Sequence, residues 1–199
     1  SSYIKDFTAV MNKFGQDAVY YAHAGAGELH LRPILNLKVR EDVKLFQQIS
    51  EAVAKLVKSY RGSLSGEHGD GKVRSSFIEM MLGKTCYAAL HQVKDTFDKH
   101  GIFNPNKILN PLPIHQDLRY ETDRKEPDVK TTLQFTEEGG IVRAAEKCNG
   151  SGDCRKSPAA GGGMCPSYQV TKNEKDTTRA RANALREFLT NGKQDNNFD

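Results

Sequence analysis

The sequence predicts an α+β fold: an antiparallel sheet with packed helices, followed by a small, mainly helical segment. A glycine-rich turn at residues 25–27 separates two β-favouring runs, which predicts a β-hairpin. Residues 40–60 carry apolar side chains at helical spacing, with a stripe wide enough to pack on a sheet. A charged, proline-bearing stretch at residues 113–130 then reads as a connection to a second unit.

In chain order, the first helix is predicted over residues 3–14, and Gly15 suits a left-handed helix end. The hairpin strands follow on either side of the glycine turn. After the long helix, residues 62–72 hold too many glycines for regular structure. Further helices are predicted over residues 75–82 and 85–100, and in the second of these we expect Cys86 to be a buried core residue.

The second half is predicted to be sparser in regular structure. A short strand is expected at residues 133–135, helical turns at 137–147 and a helix at 178–189, before a frayed tail at 191–199. We therefore divide the chain into a first domain of residues 1–112, a linker of residues 113–135 and a second domain of residues 136–199.

Composition excludes two function classes. The net charge is only +4, and no basic run is interleaved with aromatic residues, so we expect no nucleic-acid partner. No apolar run approaches the roughly 18 residues that a membrane-spanning helix needs. Three clustered cysteines favour a metal or cluster site in a reducing compartment over a disulfide framework. We expect a cytoplasmic protein, either free or peripheral to the inner face of the membrane.

The hairpin carries a candidate metal site. If its turn is centred between Ala26 and Gly27, His23 lies directly opposite His30, with Cβ atoms about 5 Å apart. Two imidazoles at that spacing can hold one metal ion, and Glu67 in the later glycine-rich loop can supply a third ligand. The alternative is that both histidines are ordinary strand residues with polar partners.

Three motifs in order resemble one family. They are HAGAGELH at residues 23–30, GEHGDG at 66–71 and LNP at 109–111. Together they resemble the C-terminal half of FAD-linked oxidases, more narrowly the D-2-hydroxyacid dehydrogenases. The resemblance implies the cap and substrate part of a vanillyl-alcohol-oxidase-type flavoprotein, with FAD as cofactor and a small D-2-hydroxyacid as substrate.

The resemblance also implies roles for single residues. His23, His30 and Glu67 become ligands of a divalent metal, for which zinc is suited. His68 becomes the general base that takes the hydroxyl proton. Two further residues are open: Arg32 either holds a second substrate carboxylate or is a surface arginine, and Asn110 either contacts the flavin or shapes a turn. Ala26 and Glu28 depart from the family pattern, which leaves the flavin contacts of the turn open.

The second unit resembles the iron–sulfur region of large bacterial members of the family. Cys148, Cys154 and Cys165 are the implied cluster ligands, while Ser151 stands where a further cysteine is usual. Three thiolates do not complete a four-cysteine site, so the missing ligand is either Ser151 or a later cysteine. In this chain alone we expect free thiols, and in the complete enzyme a bound cluster.

These implications define the expected function. We expect an internal piece, inactive alone, of a longer enzyme that oxidises a D-2-hydroxyacid to the 2-oxoacid with metal assistance. Its partners are the remaining FAD-binding domain of the same polypeptide and an acceptor downstream of FAD and the iron–sulfur clusters. The alternatives are a metal-free FAD-linked alcohol or phenol oxidase, and a non-enzymatic electron-transfer adaptor that docks on a separate flavoprotein.

Overall fold

The computed structural model describes residues 1–190 and divides into two compact units, Ser1–Arg124 and a second unit that begins at Lys125. The division falls inside the range 113–135 that the sequence predicts as a linker. The frayed tail predicted for residues 191–199 lies outside the described residues. Among residues 1–190, no helix is both long enough and apolar enough to cross a membrane.

The first unit has the predicted order of helix, hairpin and long helix, and this confirms the α+β prediction. Its elements are α1 (Ser2–Lys13), β1 (Ala18–His23), β2 (Glu28–Pro33), α2 (Arg40–Ser59), α3 (Gly71–Arg74), α4 (Ile78–Leu82) and α5 (Lys84–Phe97). The two strands pair antiparallel. The hydroxyl of Ser1 caps α1 by accepting from the amide of Ile4 at 3.4 Å. Gly15 follows α1 with a φ of +64°, the left-handed conformation expected there.

Helix α2 is shared by two apolar clusters, which makes it the centre of the first unit. On one face Ile49 packs with Phe7 and Met11 of α1, and Leu31 of β2 adds to this cluster. On another face Ala54 packs with Phe77 and Ile114, and Leu64 of the glycine-rich loop adds to that cluster. The hairpin and the loop are therefore both anchored on the same helix.

The hairpin register differs from the predicted one by two residues. His23 pairs with Glu28, and His30 pairs with Tyr21, so His23 and His30 are not directly opposite. The reason is the turn itself: residues Ala24–Ala26 form a short 3₁₀ turn, and Gly27 closes it with a φ of +67°. An even shift keeps each side chain on its original face of the hairpin, and the two imidazole rings still lie 4.8 Å apart.

Two further predictions are wrong. Cys86 is exposed rather than buried, because α5 turns its apolar side to solvent, with Val93 and Phe97 57% and 79% exposed. Residues 133–135 form no strand, only bends and irregular backbone. In both cases the local pattern was present, but residues 1–190 place no element where it would bury these side chains or pair with this segment.

The second unit is built mainly from short helices. Its helices are α6 (Ile141–Glu146), α7 (Pro166–Thr171) and α8 (Thr178–Thr190), and α8 confirms the helix predicted at 178–189. Val142 and Ala145 of α6 are buried, as is Thr177. The Thr177 hydroxyl accepts from the amide of Ala180 at 2.9 Å, so it caps the first turn of α8.

Candidate metal and substrate site

One face of the hairpin packs on the core, and the other carries the candidate site. Leu31 lies on the face that joins the cluster around Ile49. The opposite face carries the side chains of the candidate site, because successive residues of a strand point to opposite sides. These residues are His23 and Tyr21 from β1 and, paired with them or next to them, Glu28, His30 and Arg32 from β2.

Rings and a guanidinium stack along this polar face. The guanidinium carbon of Arg32 lies 4.8 Å from the centre of the Tyr21 ring. The Tyr21 ring stacks on His30 with centroids 5.0 Å apart. The rings of His23 and His68 approach His30 edge-on, at 4.8 and 5.4 Å. His30 is therefore the central side chain of the site, and it is held from three sides.

The glycine-rich loop delivers the carboxylate that the sequence reasoning required. Oε1 of Glu67 lies 3.6 Å from Nε2 of His23 and 3.3 Å from Nε2 of His68. Loop and hairpin, about 35 residues apart in sequence, thus meet around one carboxylate. All four expected residues, His23, His30, Glu67 and His68, come together.

The group of possible metal ligands shares His30 and Glu67 with the predicted set, but it contains Glu28 and His68 and leaves out His23. In the part of the chain that the structure describes, Glu28, His30, Glu67 and His68 each offer a ligand atom, and these atoms all lie within 4.8 Å of one another. His23 borders this group through its contact with Glu67. Sequence reasoning missed Glu28, the first residue of β2, as a ligand, although the residue was noted as a departure from the family pattern.

Two features of this group fit a cation. Nε2 of His30 is buried and has no hydrogen-bond partner among the described residues. Buried polar atoms are usually satisfied, and a bound cation would satisfy this nitrogen. Two carboxylates, Glu28 and Glu67, lie close together, and carboxylates so placed repel unless a positive charge separates them. A divalent cation satisfies both needs.

A cleft of about 720 Å³ adjoins the group. Its lining includes His30, Arg32 and His68 together with apolar residues of α1 and α2. Asn110 is not part of this lining. Its φ of +50° is left-handed, and its backbone N–H donates to the hydroxyl of Tyr87 at 3.4 Å. This local geometry accompanies a bend in the chain, and a flavin contact of Asn110 stays a prediction.

The three cysteines of the second unit differ in burial. Cys154 and Cys165 are buried and Cys148 is half-buried. Hydrogen bonds from the Tyr168 backbone and, less strongly, from the Thr178 hydroxyl lower the pKa of the Cys165 thiol. Ser151, the alternative fourth ligand, is bound locally to the carboxylate of Asp153 at 3.0 Å. Three thiols are one short of a four-cysteine cluster, so the iron–sulfur site stays a prediction.

Comparison with known proteins shows the family of the first unit. Residues 1–108 match the family model described as FAD linked oxidases, C-terminal domain. The chain belongs to the FAD-linked oxidase family. The family match covers the hairpin and the glycine-rich loop, the two parts of this FAD-linked oxidase domain that form the site.

Individual relatives extend the likeness beyond the family match. The chain is 36% identical to the D-2-hydroxyglutarate dehydrogenase of Haemophilus influenzae over 191 residues, and 33% identical to that of Escherichia coli over 196 residues. Each alignment covers 95% of this chain and 18% of the relative. A glycolate oxidase subunit of Bacillus subtilis, GlcD, is 26% identical over 106 residues, which is 53% of this chain and 23% of that protein. No solved structure matches the chain.

The chain thus spans about a fifth of the length of the curated dehydrogenases that it resembles over both of its units. The family assignment rests on the first unit, whereas the likeness to the two dehydrogenases includes the cysteine-bearing second unit as well.

Proposed function

We propose that this chain is part of an FAD-dependent dehydrogenase that oxidises a D-2-hydroxyacid to the 2-oxoacid. The observation that carries the proposal is the meeting of His30, Glu67 and His68 beside a cleft in an FAD-linked oxidase domain. The names of the relatives support the substrate class, since they act on D-2-hydroxyglutarate, glycolate and D-lactate.

The residues of the group are suited to hold a divalent cation, with zinc the metal expected from the sequence. His30 and Glu67 are its first ligands, and His23 lies close enough to Glu67 to join them. When bound, FAD would supply a hydride acceptor, and a divalent cation held by these residues would supply a Lewis acid that lowers the pKa of the substrate hydroxyl. The chain's own task is to hold the substrate still and to remove the proton.

His68 is the group that removes the hydroxyl proton. Its Nε2 lies 3.3 Å from Oε1 of Glu67, so its ring stands beside the proposed metal ligands and lines the cleft. A general base positioned in this way contributes about 10²–10⁴-fold to a rate.

Arg32 is the residue that binds a second carboxylate of the substrate. It lines the cleft, and its guanidinium carbon lies 4.8 Å from the centre of the Tyr21 ring. A planar guanidinium pairs with a carboxylate through two hydrogen bonds. This role favours a dicarboxylate such as 2-hydroxyglutarate over lactate or glycolate.

The apolar side of α5 is the surface on which the remaining FAD-binding domain packs. Val93 and Phe97 are exposed there, with Ile102 and Phe103 just beyond the helix. An exposed apolar patch of this kind marks an interaction surface. An acceptor downstream of the flavin, and an iron–sulfur cluster on Cys148, Cys154 and Cys165, belong to the same proposal, as does a cytoplasmic location.

The test is anaerobic reduction of the flavin in the full-length protein that contains this chain. We expect His68→Ala to keep its flavin but to be reduced by D-2-hydroxyglutarate at least about 100-fold more slowly, since it lacks the base. The matched control is His100→Ala, which removes an exposed imidazole outside the site. Equal reduction rates in both variants would exclude His68 as the base. Full activity after metal removal would favour the metal-free oxidase.

A further inference from the structure

Glu28 carries a carboxylate that the sequence analysis did not assign to the metal site. It is the residue opposite His23 across the hairpin, and its oxygen lies within 4.8 Å of ligand atoms of His30, Glu67 and His68. It is half-buried, while Glu67 is exposed. A carboxylate that is drawn toward a second carboxylate and away from open water needs a compensating positive charge.

The loop is shaped to admit this side chain. A Cβ atom built on Gly66 would lie 2.2 Å from Oε1 of Glu28 and 2.5 Å from its carboxyl carbon. The backbone of Gly66 is not in the left-handed region, so glycine is not needed there for conformation. What glycine provides at this position is room, and the space that it leaves is filled by the Glu28 carboxylate.

Among the described residues, no permanently charged cation compensates the pair. The ion pairs of Glu67 run to His23 and His68, and in the described part of the chain no lysine or arginine forms an ion pair with Glu28 or Glu67. His30, whose buried Nε2 has no hydrogen-bond partner among the described residues, belongs to the same group of ligand atoms. This arrangement of charges and donors favours a cation held by both carboxylates.

We propose that Glu28 is a metal ligand of this chain, which gives the site two carboxylates where the sequence motif supplies one. This inference rests on the metal site of the proposed function. Carboxylate oxygen is a hard donor that suits Mn²⁺, whereas imidazole suits zinc. A second carboxylate therefore raises the affinity for Mn²⁺ more than the affinity for Zn²⁺. Two carboxylates also neutralise the charge of a divalent cation. The negative charge of the substrate is then balanced by residues such as Arg32.

The test measures metal binding by the 199-residue chain, without any need for catalysis. Affinities for Zn²⁺ and for Mn²⁺ are determined by competition with a chromogenic chelator, and folding of each variant is checked by circular dichroism. Glu28→Gln removes the charge but keeps the shape. Gly66→Ala keeps the carboxylate but fills its space. The matched control is Gly25→Ala in the hairpin turn, where an added Cβ meets no atom within 4 Å.

We expect the wild-type chain to bind one equivalent of metal. Glu28→Gln and Gly66→Ala should both weaken metal binding by at least about tenfold. Loss of a residue that only supports a metal ligand already lowers metal affinity by about this factor, so loss of a ligand should lower it at least as much. The loss should be larger for Mn²⁺ than for Zn²⁺, and Gly25→Ala should bind as the wild type does.

Two results overturn the inference, and they are distinguishable. If the wild-type chain binds metal and folded Glu28→Gln binds it equally well, Glu28 is not a ligand, while the metal site of the proposed function stands. If the wild-type chain binds neither metal, the site as a whole fails, and the metal-assisted part of the proposed function fails with it.

Discussion

Replacement of Ile49 by alanine tests whether α2 holds the first unit together. Ile49 is 2% exposed and packs on Phe7 and Met11, each 1% exposed. The change removes three carbon atoms, which at about 0.8 kcal/mol each amounts to about 2.4 kcal/mol of lost transfer free energy. Neighbours this well buried collapse only partly into the space, so a cavity contribution adds to the loss. We expect the free energy of unfolding to fall by about 3–4 kcal/mol.

The assay is urea denaturation followed by near-ultraviolet circular dichroism. Six of the seven tyrosines precede Lys125, so this signal reports mainly on the first unit. The control is Val93→Ala on the exposed face of α5, which should change stability by less than about 0.5 kcal/mol. A loss below about 1 kcal/mol for Ile49→Ala would refute the central role of α2.

Two further predictions concern α5. A hydrogen bond from Lys94, and weaker ones from the backbone amides of Ile102 and Phe103, lower the pKa of Asp98. The ionised carboxylate therefore stabilises the fold above its unfolded pKa of about 3.9, and this stabilisation is lost as the pH falls through the folded pKa. Asp98→Asn should therefore lower the melting temperature at pH 7 and much less at pH 3; an equal loss at both would contradict this ion pair. In denaturant titrations, Phe97→Ser should change the free energy of unfolding of the 199-residue chain by less than about 0.5 kcal/mol but lower that of the full-length protein by more than about 2 kcal/mol. Equal effects on the two proteins would argue against docking of another domain on α5.

Much of the first unit could be predicted because its signals are local. Helix α2 has a wide apolar stripe with acidic residues at its start, and Gly15 could end a helix without steric cost. The hairpin followed from its glycine turn. Its register did not, because the turn residues fit more than one geometry and only the backbone hydrogen bonds decide between them.

What the sequence could not supply were facts about distant neighbours. The repeat of apolar residues in α5 indicates an apolar face, but not what covers it, and the structure leaves Phe97 exposed. Glu28 belongs to the same category. Its proposed role as a ligand depends on the close approach of Gly66, and the sequence of the hairpin turn does not predict that approach.

The geometry of the site follows from the way α2 anchors its two halves. The hairpin is tied to α2 through Leu31 in the Ile49 cluster, and the glycine-rich loop is tied to it through Leu64 in the Ala54 cluster. Ile49 and Ala54 are five residues apart, which is about 7.5 Å along a helix that rises about 1.5 Å per residue. One rigid element thus fixes how far His30 lies from Glu67. A loop rich in glycine can then carry a ligand and the base, because the precision comes from the helix beneath it and not from the loop.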